Sequence, residues 1–76
     1  MRIIPKKEIP TVNDLKDDDK MLIGEMFLAA KHIANKLNIA KNGYRLVINC
    51  NKDACQTVFH LHMHLLAGRK FNWPPG

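Results

Sequence analysis

The chain has 76 residues, 46% of them hydrophobic and 25% charged, with a formal net charge of +5. This composition excludes a disordered polyelectrolyte and suits one small globular domain over residues 1–76. No apolar run reaches membrane-spanning length, and the apolar part of Met1-Arg2-Ile3-Ile4-Pro5 is too short for a signal peptide. A soluble, intracellular protein is expected, cytoplasmic or also nuclear, with no membrane partner. The positive charge suits an anionic ligand such as a nucleotide phosphate. Its spread along the chain does not point to a specific nucleic-acid partner, and Lys6-Lys7 reads as a solvated turn.

Arg2 to Pro5 reads as a short strand ended by Pro5. A strand opening at Met1, without a preceding turn or cap, suggests a domain entered in mid-fold. Lys6 to Asn13 reads as a loop. Asp14 to Leu37 contains the one main helix, most secure from Asp17 onward. Asp17, Asp18 and Asp19 crowd its start and Lys31, His32 and Lys36 its end, both complementing the helix dipole. Leu22, Met26, Ala29, Ala30, Ile33 and Leu37 fall on one broad apolar face at helical spacing. Met21 and Leu28 interrupt the polar side, either as scattered surface hydrophobes or as a patch for a partner subunit.

Asn42-Gly43 marks a turn, and Tyr44 to Asn49 alternates as a strand. Cys50 to Gln56 is a polar loop, and Thr57 to Leu66 reads as a second strand, giving an antiparallel hairpin. The tail from Ala67 to Gly76 is irregular, anchored by Phe71 or Trp73. The two cysteines read as reduced thiols.

The stretch Phe59-His60-Leu61-His62-Met63-His64-Leu65-Leu66 dominates the chemistry. Its period of two sends Leu61, Met63 and Leu65 to a core and aligns His60, His62 and His64 on the other face. Imidazole suits proton transfer, attack on phosphorus and metal binding near neutral pH. Residues two apart on a strand lie about 6.6 Å apart and residues four apart about 13 Å. Such a strand offers at most two ligands to a zinc that wants four, and Cys50 and Cys55 would have to complete the set. That Cys-x4-Cys…His-x-His spacing does not match the usual fingers, so no metal and no cofactor are expected. Histidines on a merely solvated strand face are the plain alternative. For a nucleophilic imidazole, a fixed tautomer, an adjacent acid and neutral phosphoryl donors are all needed. Asn49, Gln56 and Thr57 approach the His62 region across the hairpin and are the candidate donors.

His60-Leu61-His62-Met63-His64-Leu65-Leu66 has the form His-φ-His-φ-His-φ-φ and resembles the histidine triad (HIT) signature. The tail Gly68-Arg69-Lys70-Phe71-Asn72-Trp73-Pro74-Pro75-Gly76 looks like that of the Hint branch, the histidine triad nucleotide-binding proteins. Ile4-Pro5-Lys6-Lys7, Gly43-Tyr44-Arg45 and Gln56-Thr57-Val58-Phe59 are also similar to Hint segments. The resemblance implies an α+β fold with an antiparallel sheet, a homodimer, and hydrolysis of purine nucleoside phosphoramidates such as adenosine monophosphate linked to an amine.

In that resemblance His62 is the nucleophile that forms a nucleotidyl-histidine. His64 contacts the phosphate and leaving group, and His60 orients the site. Asn49 and Thr57 hydrogen-bond the phosphate region, with Thr57 where the branch usually has serine, and Trp73 approaches the partner subunit; Gln56 stands beside them as a phosphate-binding candidate from the hairpin. The chain departs from the pattern at Glu8, where Hint proteins often carry histidine, at Cys50, Cys55 and Ala67, and by lacking the N-terminal hairpin and its nucleoside contacts. A weakly catalytic nucleotide-binding or scaffold protein and a zinc-binding protein are the competing readings. A small core also favours dimerisation, because one helix and three strands bury little apolar surface.

Overall fold

The helical periodicity is realised in a computed structural model that describes residues 1–76 as α1 over Lys20–Lys36. Met26, Ala30 and Ala34 are its buried residues, with Leu22, Ile23 and Ile33 partly buried beside them. Two expectations for this element are corrected. Within Asp14 to Leu37 the α-helix begins at Lys20 and not at Asp17, because short 3-10 turns at Val12–Asp14 and Asp17–Asp19 precede it. Asp14 is engaged by Thr11, accepting from its backbone N–H at 3.0 Å and from its hydroxyl at 2.8 Å. Leu37 is not on the core face. It lies one residue past the helix and is exposed, and Ala34 takes the buried place instead.

Three strands form an antiparallel sheet: β1 (Arg2–Ile3), β2 (Arg45–Val47) and β3 (Met63–Leu66), in the order β1-β3-β2. The hairpin is present, with Arg45 opposite Leu66 and Val47 opposite His64. On the other side of β3, Arg2 lies opposite His64 and Ile3 opposite Met63. All three strands are shorter than their apolar patterns. Pro5 has no N–H to donate, so β1 stops before it. Residues 57–62 lie outside the ladder, and the Leu61 N–H donates to the Ile9 carbonyl at 2.6 Å instead.

The alternation of the histidine segment nevertheless holds. Leu61, Met63 and Leu65 are buried and join Ile9, Met26 and Ala30 in one core, while His60, His62 and His64 stay half-buried. At about 25 cal/mol per Å² of apolar surface, this seam of helix on sheet is what holds the histidine segment flat against the domain. Lys7 does not sit in a merely solvated turn. Its Nζ pairs with Asp19 at 2.6 Å, tying the loop after β1 to the start of α1.

The tail is irregular as expected. Phe71 is half-buried, with the Arg45 and Arg69 guanidinium groups 4.9 and 4.5 Å from its ring centre. Trp73 is 81% exposed, so Phe71 and not Trp73 anchors this segment to the domain.

Candidate active site

The three imidazoles differ in their surroundings. The Nδ1 of His62 lies 2.7 Å from the carbonyl oxygen of His60. A carbonyl can only accept, so Nδ1 carries the proton. In the neutral ring the lone pair is therefore on Nε2, a fixed tautomer of the kind an imidazole nucleophile requires. A regular strand does not let a side chain reach the carbonyl two residues back. The contact exists because residues 57–62 leave the ladder. Likewise the Nε2 of His60 lies 3.2 Å from the Pro5 carbonyl, so that nitrogen is the protonated one and the ring is held by the loop after β1.

The His62 and His64 rings meet edge to face, with centroids 4.9 Å apart and planes at 77°. The His64 pKa is lowered from the ordinary histidine value, chiefly by burial and then by the adjacent charges of His62 and Arg2. His64 is therefore held as neutral imidazole in the free site. An anion bound there would offset the charge effect and favour proton uptake.

The candidate phosphate donors do not stand alike. Asn49 lies two residues past the end of β2 and is half-buried. Thr57 is exposed at the start of the histidine segment. Gln56 is buried, and its amide is already engaged: Oε1 accepts from the Asn51 N–H at 2.8 Å, and Nε2 donates to Pro10 and Val58 carbonyls at 2.8 and 3.0 Å. Both its amide hydrogens are used, so Gln56 braces the loop and has no donor to offer a phosphate. Its partner Pro10 lies 46 residues away, which no local pattern in the sequence announces.

No group of three or more His, Cys, Asp or Glu side chains assembles in a way that could hold a metal ion. Cys50 and Cys55 are free thiols, the second exposed. The Cys50, Cys55, His60, His62 set weighed as a zinc site therefore does not converge. The clefts of the surface lie elsewhere, one between the Asn42-Gly43 turn and Gly68-Arg69-Lys70, another between β1 and α1. None of the surface clefts is lined by His60, His62 or His64.

Residues 1–71 match the model of the HIT domain. The chain belongs to the HIT family. An uncharacterized HIT-like protein of Synechocystis is 47% identical over 74 residues, covering 97% of this chain and 64% of its own length. An uncharacterized HIT-like protein of Buchnera aphidicola is 43% identical over 70 residues, covering 92% of this chain and 62% of its own. The chain thus spans less than two thirds of these curated HIT relatives. A HIT family hydrolase from Legionella pneumophila superposes with a TM-score of 0.96 at 48% identity, over 99% of this chain and 67% of that one. A histidine triad protein from Clostridium difficile follows at 0.90 and 31% identity, over 93% and 62%. These matches establish a HIT fold, an antiparallel sheet with one main helix. No helix is long and apolar enough to cross a membrane.

Proposed function

We propose that this HIT chain carries the catalytic residues of a hydrolase that cleaves the P–N bond of purine nucleoside phosphoramidates, as in the Hint branch. The observation that carries the reading is the 2.7 Å contact of His62 Nδ1 with the His60 carbonyl, which leaves an Nε2 lone pair aimed away from the backbone. In the proposed first step that lone pair attacks phosphorus, an Nε2–P bond forms and the P–N bond breaks. The departing amine must take a proton. His64, at 4.9 Å between ring centres, supplies it once the bound anion has raised its proton affinity. In the second step water attacks the nucleotidyl-histidine and gives its proton to His64, a P–O bond forms, the Nε2–P bond breaks and both histidines are regenerated. Asn49 and Thr57 serve as neutral donors to the phosphoryl oxygens.

The proposed ligand is an AMP-like purine nucleotide, and the proposed assembly is a two-fold homodimer. Leu28, 55% exposed, and Met21, 78% exposed, give its helix face apolar character, and Trp73, 81% exposed, is the proposed contact to the neighbour. The competing reading is a nucleotide-binding or scaffold protein of low turnover, supported by the clefts lying away from the histidine row and by the donors of Gln56 being engaged in the loop. Turnover of adenosine 5′-phosphoramidate, measured beside AMP affinity by calorimetry, separates the two. Multiple turnovers abolished by His62→Ala support the hydrolase. AMP binding without turnover supports the scaffold.

A further inference from the structure

The histidine segment gets its position from a part of the chain remote in sequence. Residues 57–62 have no ladder partner, and the strap formed by residues 5–10 takes that place. The Pro5 carbonyl meets His60 Nε2 at 3.2 Å, the Ile9 carbonyl takes the Leu61 N–H at 2.6 Å, and the Pro10 carbonyl takes the Gln56 amide at 2.8 Å. Each carbonyl is a main-chain group, so the histidine geometry is only as fixed as the strap. The strap has no ladder of its own. It is held at its ends by buried Pro5 and Ile9, and the three residues between them are exposed.

One of those three is tied down. The Nζ of Lys7 reaches Asp19 Oδ1 at 2.6 Å, and the other carboxylate oxygen, Oδ2, accepts the Lys16 N–H at 2.9 Å. The Asp19 side chain is only 5% exposed and stands at the N-cap of α1, so the anchor belongs to the main helix of the fold. Lys7, acting first through this hydrogen bond, lowers the Asp19 pKa, and the Lys7 pKa is raised in return. The pair is charged throughout the neutral range. A lysine and an aspartate on the surface would contribute little as an ion pair. Here the geometric consequence is larger than the energetic one, because the strap also carries the acceptors that orient the row.

We infer that Lys7 and Asp19 are positioning residues for the histidine row: their pairing fixes the strap, the strap fixes His60, and His60 fixes the tautomer of His62. The functional part of this inference rests on the hydrolase reading above, and the structural part does not. Misplacement of a reacting group by about 1 Å costs up to about 10²-fold in rate. Partial loosening of the strap is expected to cost about tenfold in kcat, with KM little changed.

The test uses the full chain labelled with ¹⁵N, as wild type, Lys7→Met, Asp19→Asn and Lys7→Arg. Ring-nitrogen spectra report the tautomers of His60 and His62 without any turnover. The wild type is expected to show one tautomer each, protonated on Nε2 for His60 and on Nδ1 for His62. Lys7→Met and Asp19→Asn are expected to show mixed tautomers while the amide signals of α1 stay in place, and Lys7→Arg is expected to restore the single forms. Folded variants that keep both single tautomers overturn the inference. So does global unfolding of both Lys7→Met and Asp19→Asn, which would make the pair a general stability element. A wild type with fixed tautomers but no turnover defeats the hydrolase reading alone.

Discussion

Replacing Gln56 with leucine distinguishes a loop brace from a phosphate ligand. Gln56 is 6% exposed and makes three hydrogen bonds of 2.8 to 3.0 Å, to Asn51, Pro10 and Val58. Leucine fills a similar volume, so the loss is chiefly of hydrogen bonds. Each is worth about 1 kcal/mol net, which sets the expected destabilisation at about 3 kcal/mol. A core of this size rarely supplies more than about 3–5 kcal/mol, so Gln56→Leu should stand close to unfolding without denaturant. With a urea slope of about 1 kcal/mol/M, the midpoint should fall by about 3 M or vanish. Circular dichroism in urea is the assay.

Gln56→Glu gives a graded version. Its carboxylate keeps the acceptor for Asn51 but faces the Pro10 and Val58 carbonyls without a donor. Protonation restores one donor, so the folded-state pKa must rise above the ordinary glutamate value of about 4.3. The variant's stability is then fully present below about 4.3 and declines as pH rises through the folded value. A Gln56→Leu protein with the wild-type urea midpoint and weakened AMP binding would refute the brace and restore the phosphate role.

In an NMR titration, His64 should lose its proton at lower pH than an ordinary histidine, because burial, His62 and Arg2 all favour the neutral ring. AMP should move that midpoint up, and His62→Asn should also raise it by removing a neighbouring charge. A His64 midpoint unaffected by AMP would contradict the shared anion site. Since the folded value is depressed, His64 contributes stability above about pH 6.5 that is lost as pH falls toward the folded midpoint. Asn49→Ala should lower kcat by very roughly 10²-fold through loss of one donor, read from steady-state turnover of adenosine 5′-phosphoramidate. Leu28→Glu should convert a homodimer to monomers in light scattering at micromolar concentration, and a wild-type monomer there would remove the dimer proposal.

The parts of the fold written in local periodicity were legible. Met26, Ala30 and Ile33 announced the helix, and Leu61, Met63 and Leu65 announced which side of the histidine segment faces the core. The chemistry of the site was legible as a row of imidazoles, because alternation survives even where the ladder does not. Ala34 went unrecognised because a small residue adds little to an apolar pattern, although close helix packing selects for it. Leu37 misled because its spacing is helical but the helix ends at Lys36. The 12-residue separation of Lys7 from Asp19 and the 55-residue separation of His60 from the Pro5 carbonyl are tertiary relations. The strap that replaces a strand beside residues 57–62 was invisible for the same reason, and with it the contact that sets the His62 tautomer.

The most direct test of the account is to look for the nucleotide on His62. The full chain is mixed with adenosine 5′-phosphoramidate, quenched in denaturant at alkaline pH to preserve a P–N bond, digested, and sequenced by tandem mass spectrometry. The account predicts one adenylyl group on the tryptic peptide 53–69, localised to His62, present during turnover and gone when substrate is exhausted. Turnover with no such adduct, together with full activity in a purified and folded His62→Ala protein, would contradict it.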